Sequence, residues 1–262
     1  MLLSQGAGLV LVALALPLLP AATPSSADLW WGAVAGVAGG IGVALLYRAL
    51  ASGTMSIVAP ITAVTAVALP VLTSIALGER PGWIAVLGIL LGIASIVLVS
   101  RQPSSPAPEG RGGQGVRTPE ERAGHGVRTG IGPALIAGIA MGIFLLALAQ
   151  TRREAGLWPL LTDRIASMAF FGIVMVVARA SPRLPMNLAA LALGCGTLDM
   201  VANALFLIAV RIGPFSPIVT LCALYPATTV LLARVILAER LSAWQAAGVV
   251  TALTAVALIV SG

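Results

Sequence analysis

The sequence predicts an all-α integral membrane protein made of two inverted repeats of transmembrane helices, and three observations predict it. Of 262 residues, 59% are hydrophobic and 9% are charged, with a mean hydropathy of +1.04. A soluble domain carries about 25% charged residues, so this chain lacks the polar surface that a water-facing globule needs. Apolar runs of roughly 18–24 residues recur along it, the length of helix that crosses about 30 Å of hydrocarbon. The chain also repeats itself. Offset by 160 residues, Val43–Ser100 lies on Asn203–Val260 without a gap, so that Gly53 falls on Gly213, Ser56 on Ser216 and Gly88 on Gly248. Leu77, Glu79 and Arg80 fall on Leu237, Glu239 and Arg240.

Nine apolar runs follow in order. Leu2–Leu19 comes first. It has the length of a signal peptide, with Ser25-Ser26-Ala27 as a cleavage site, but it lacks a basic start and is followed by eight more runs, so a span is expected. Leu29–Leu50, Ile57–Leu77 and Gly82–Val99 complete a first repeat over residues 1–100, with breaks at Pro20, Gly53 and Pro81. Residues 101–130 turn abruptly to Pro, Gly, Arg and Glu and are expected to form a disordered tether. Ile131–Ala149, Trp158–Val177, Leu188–Val210, Pro214–Leu237 and Ala243–Ser261 make a second repeat over residues 131–262. Strands are excluded, because spanning strands need only about 9–11 residues and alternate in polarity.

With a one-residue slip, Ser4-Gln5 matches Asp163-Arg164, so Leu2–Leu19 pairs with Trp158–Val177. Ile131–Ala149 is left without a mate. The count is therefore four spans plus five, and the DNA upstream of Met1 is expected to encode one more apolar span in frame. An in-frame stop codon directly before Met1, with no such span, contradicts that expectation. Five spans per repeat is an odd number, which inserts the halves in opposite orientations.

All 15 basic residues are Arg, and the formal net charge is +6. They lie mostly between apolar runs, where anionic headgroups and topology explain them. No aromatic-interleaved basic patch points to nucleic acid. Cys195 and Cys222 sit inside apolar runs without CxxC spacing and read as free core thiols. The one histidine, His125, lies in the tether, which argues against a zinc site or a His-based triad. No phosphate loop, H-E-x-x-H or G-x-S-x-G occurs. The chain is expected to be no enzyme and to need no cofactor or metal.

Candidate site residues are polar groups set deep in apolar runs. Asp199 is foremost, with Asn203 one helical turn further on. A carboxylate at that depth costs on the order of 2.5–3.5 kcal/mol on insertion scales, so it needs a cavity or a partner. It reads either as a substrate contact or protonatable coupling site, or as a structural clamp. Arg164, next to Asp163, and its repeat mate Gln5 read as cavity-lining polar groups, with snorkelling of Arg164 to the interface as the alternative. Tyr225 and Thr228, beside Pro226 and Thr229, mark a kinked hydroxyl-bearing segment whose mate carries Thr62, Thr65 and Pro70. Ordinary helix packing explains such residues equally well. Glu79-Arg80 and Glu239-Arg240 read as polar interfacial turns, and Trp30, Trp31, Trp83, Trp158 and Trp244 as interfacial belt residues. Gly36, Gly39, Gly40, Gly88 and Gly92 read as places of close helix contact.

The run LYPATTVLLARVILAERLSAWQAAG (Leu224 to Gly248) and its echo APITAVTAVALPVLTSIALGERPGWIAVLG (Ala59 to Gly88) resemble the drug/metabolite transporter superfamily, EamA type. The resemblance covers the chain except the tether, and its more specific part is the paired L-x-E-R turn followed by glycine. It implies a carrier of five plus five helices that moves small metabolites or drugs. The chain departs from it by lacking the first helix.

The expected function is a secondary transporter of a small organic solute working by alternating access, in the cell membrane, with a bacterial inner membrane as the expected one. A channel, a non-transporting scaffold and a lipid-acting membrane enzyme are the alternatives. Expected partners are a small-molecule substrate, protons, the lipid bilayer and a second copy of the chain as a homodimer, but not nucleic acid. Orientation signals disagree. The resemblance implies a cytoplasmic C-terminus with the tether outside, whereas Arg101, Arg111, Arg117, Arg122 and Arg128 favour a cytoplasmic tether. The expectation follows the resemblance.

Overall fold

The computed structural model describes residues 1–18, 23–52, 55–99, 119–179, 186–224 and 243–261. Nine α-helices are seen among them: α1 Leu2–Ala15, α2 Ser26–Ser52, α3 Met55–Ala76, α4 Trp83–Val99, α5 Pro119–Ala149, α6 Trp158–Val177, α7 Met186–Val210, α8 Phe215–Ala223 and α9 Ala243–Ser261. Short 3-10 turns follow α1 and precede α6. No strand occurs among the described residues. Each helix coincides with one apolar run, α8 with the described part of its run.

Four described segments are long and apolar enough to cross a membrane by themselves: Ser26–Ala51, Gly132–Ala149, Trp158–Val177 and Leu188–Val210. Leu2–Leu18, Ile61–Ala76, Trp83–Leu98 and Ala246–Leu258 are shorter apolar helices. Trp30, Trp83 and Trp244, near helix starts, are exposed, as an interfacial belt requires.

α5 starts at Pro119, inside the stretch expected to form a tether, and runs without a break into the apolar span. Pro is well suited to a first helical position. Residues 101–118 lie outside the described residues.

The chain divides into two compact units, Met1–Val43 with Ala140–Ile218 and Ala44–Ile139 with Val219–Gly262. Each draws helices from both repeats. In the second unit, the repeat mates α4 and α9 pack against each other. Ala49, Val58 and Ala134 form a buried apolar cluster there, and the Thr62 hydroxyl donates to the Ala134 carbonyl at 3.2 Å. The end of α3 shows why L-G-E-R makes a turn. Gly78 has φ +102°, its N–H donates to Ile75, and the Glu79 N–H donates to Ser74. Those two bonds are the glycine-capped helix end that satisfies orphan carbonyls, and Pro81 prevents continuation.

In the first unit, α1 packs on α7 and α6. Its contact stripe holds Ser4, Gly8 and Val12, spaced at one helical turn. Gly196 of α7 lies so close to Ser4 that a Cβ would fall inside the Ser4 carbonyl, and Gly36 of α2 meets the Asp163 carbonyl in the same way. Backbone approach of this kind is how membrane helices gain contact where lipid is as apolar as they are.

Candidate functional site

Three of these tightly packed helices bring their polar residues to one place in the first unit. Arg164 on α6 is 3% exposed and sits at the centre. Its Nη2 donates to Asp199 Oδ2 on α7 at 2.6 Å, and its Nη1 donates to Gln5 Oε1 on α1 at 2.5 Å. Asn203 Nδ2 donates to the same Asp199 oxygen at 3.3 Å. The Ser167 hydroxyl, one turn along α6, lies 3.1 Å from Gln5 Oε1 and is placed to donate to it. Asp163 is buried, with its Oδ2 3.6 Å from Arg164 Nε. Of the six residues singled out, Gln5, Arg164, Asp199 and Asn203 come together. Tyr225 and Thr228 lie outside the described residues.

The physical logic is that of charge in hydrocarbon. A buried guanidinium is tolerated when carboxylates and amides occupy its donors. Gly8 makes room, since a Cβ there would lie 3.2 Å from Arg164 Nε. Snorkelling is therefore not what Arg164 does; it lies inward, against α1 and α7. The Asp199 side chain is 56% exposed, so one member of the ion pair is open while the other is sealed.

A second polar centre was missed by sequence reasoning. Ser25 and Asp28 form a capping box at the start of α2: the Ser25 N–H donates to Asp28 Oδ2 at 2.8 Å, and the Asp28 N–H donates back to Ser25 Oγ at 3.3 Å. The same carboxylate accepts from the Arg152 backbone N–H at 2.9 Å and from its Nη2 at 2.9 Å, which ties the α5–α6 loop to α2. Arg211, after α7, donates to the Gly156 carbonyl and Thr151 hydroxyl. Burial pushes the Arg211 guanidinium below its ordinary value, and the charges of Asp28 and Glu154 offset part of this. The spacing S-x-x-D was readable as a capping signal; Arg152 as its distant partner was not. Replacing Asp28 with Ala is expected to cost about 2 kcal/mol, the loss of a cap plus charged hydrogen bonds. Thermal unfolding of the detergent-solubilised protein measures it.

An apolar cavity of about 1050 Å³ lies between α1, α6 and α7, lined by residues such as Leu3, Val10, Met168, Phe171 and Leu193. It uses a different stripe of α1 from Gln5 and none of the four clustered residues lines it. Such a lining suits acyl chains better than a polar solute. No group of His, Cys, Asp and Glu able to hold a metal occurs among the described residues.

One solved crystal structure, described only as that of a protein, is similar to this chain with a TM-score of 0.67 and 19% identity, over 98% of this chain and 82% of that one. That likeness concerns the fold. No curated protein matches. A model of the EamA-like transporter family matches residues 2–101 and 128–261, nearly the whole chain. This is a family of membrane transporters rather than enzymes, which implies a bilayer and a small-molecule substrate. With an all-helical build among its described residues and two repeats, the chain is a multi-pass membrane protein that belongs to the EamA-like transporter family.

Proposed function

We propose that this chain is a secondary transporter that moves a small organic metabolite or drug across the cell membrane by alternating access, with protons as the coupling ion. The observation that carries the reading is the Gln5–Arg164–Asp199–Asn203 cluster: ion-paired polar groups from three helices in an otherwise apolar unit, with one carboxylate open. Ionisable groups set inside apolar spans point by default to substrate or ion pathways. Tyr225 and Thr228 join the proposed site through their place in the sequence. Uptake by proteoliposomes tests the class. Saturable counterflow of a solute is expected. Unsaturated flux would make the protein a channel, chemical turnover an enzyme, and no flux a scaffold.

The topology proposed with it puts the C-terminus in the cytoplasm and the tether outside. Single cysteines in Pro103–Gly115 and at Gly262, introduced into a chain with Cys195 and Cys222 replaced, should react with a membrane-impermeant maleimide from opposite sides. Reaction of both from one side contradicts five spans between them.

A further inference from the structure

The apolar cavity of about 1050 Å³ in the first unit is a groove with a length and a direction. On α1 its lining residues Leu3, Gly6, Val10 and Leu14 recur every three or four positions, which is one stripe of a helix. From Leu3 to Leu14 that stripe is about 16 Å long at the rise of an α-helix. One leaflet supplies about half of the roughly 30 Å hydrocarbon core, so a lipid tail beside α1 covers the same depth. Leu3, Val10 and Leu14 are exposed, and a Cβ at Gly6 would meet nothing within 4 Å. No neighbouring helix among the described residues fills the groove. Its chemistry is uniform. The one hydroxyl among the described lining residues, that of Thr197, already donates to the Leu193 carbonyl at 3.0 Å. A polar solute would find no donor there in exchange for its water, whereas a hydrocarbon chain needs none.

The two ends of the groove differ. Gln5 meets Ser167 and Gly8 meets Arg164, so α1 and α6 run antiparallel, and Leu3 lies toward the C-terminal end of α6. At that end the lining reaches Ala178, and the next residue is Arg179. Arg179 has φ +49°, which ends the helix, and its side chain is exposed and makes no ion pair among the described residues. An arginine at a helix end beside the bilayer attracts anionic headgroups. We infer that the groove holds one tail of an anionic phospholipid, with its phosphate beside Arg179 and the tail running along α1 toward Leu14. The bound lipid is a component of the first unit rather than a transported solute. It covers the flank of α1 that α6 and α7 leave open and restores the dispersion contacts that a void forgoes. The inference is independent of the polar cluster, none of whose four residues lines the groove.

The test is native mass spectrometry of the full chain, delipidated in detergent and titrated with dioleoyl phosphatidylglycerol or with dioleoyl phosphatidylcholine, which has the same tails. One phosphatidylglycerol per chain is expected to bind in a saturable step, about fivefold more tightly than phosphatidylcholine, the gain from one basic residue at an anionic headgroup. Arg179→Gln should bring the two lipids to equal affinity. Gly6→Phe, which places a ring in the groove, should remove the saturable step for both. Arg179 is exposed and Gly6 has room for a side chain, so both variants are expected to fold. Should Gly6→Phe fail to fold, the loss of selectivity in Arg179→Gln decides alone. Equal binding of the two lipids by the wild type, selectivity that survives Arg179→Gln, or a saturable step that survives Gly6→Phe overturns the inference. A dimer that Gly6→Phe abolishes would give the groove to a second copy of the chain and overturn it too. Lipid retention lost in a protein extended by an upstream span would give the groove to that span instead. None of these results bears on solute counterflow, so the transporter reading stands or falls separately.

Discussion

Replacing Arg164 with Met is expected to destabilise the folded protein by about 3–5 kcal/mol, the cost of removing one partner from a buried ion pair. The side chain is 3% exposed and serves Gln5, Asp199 and, at longer range, Asp163. Met fills similar space, so the loss is electrostatic rather than a cavity. Among the described residues, Asp163 then has no counter-charge within ion-pair distance, and Gln5 Oε1 keeps only Ser167. Arg164→Lys should recover part of the loss, since it restores charge but not the fork that reaches Gln5 and Asp199 at once. Thermal unfolding in detergent, read by helical circular dichroism, gives both values. An Arg164→Met protein as stable as wild type would show that the guanidinium does not hold these helices together.

Replacing Gly196 with Val should cost about 3 kcal/mol and in addition displace α1 from α7. A Cβ there overlaps the Ser4 carbonyl, a backbone atom with no rotamer to escape into. The helices must separate, and Gln5 lies one residue from the point of contact. The expected signature is therefore double: lower stability, and a weaker link between Gln5 and Arg164 that also impairs transport. Gly6, also on α1, has open space around its Cβ position, so Gly6→Ala is the control expected to leave stability nearly unchanged. Equal effects from the two substitutions would contradict the packing account.

The fold was legible because its determinants are local. Apolar length, Pro and Gly breaks and the repeat offset all survive in one dimension, and the described residues of the runs are helical almost throughout. The start of α5 at Pro119 has a local cause as well, since Pro suits a first helical position. In the site, Asp199 and Asn203 were readable as neighbours one turn apart. Gln5 and Arg164 were linked only by repeat symmetry, and the structure places them in a hydrogen bond. Asp163 was noted only as a neighbour of Arg164, and nothing in sequence shows that it and Asp199 share one guanidinium. Gly8, Gly32 and Gly196 make close contacts as well, with Arg164, Thr162 and Ser4, and were not among the glycines chosen. Asp28 went unnoticed since an acid in a first helical turn is ordinary, and its tie to Arg152 spans the tether.

The transport account turns most directly on Asp199→Asn, assayed in proteoliposomes under two regimes. Asn keeps the size of the side chain and can still accept from Arg164 and Asn203, so the protein should fold. It cannot gain or lose a proton. Accumulation driven by a pH gradient should therefore be abolished, while saturable counterflow, which needs no net proton movement, should persist at higher solute concentration. A well-folded Asp199→Asn protein that accumulates solute under the pH gradient as wild type does would contradict the account.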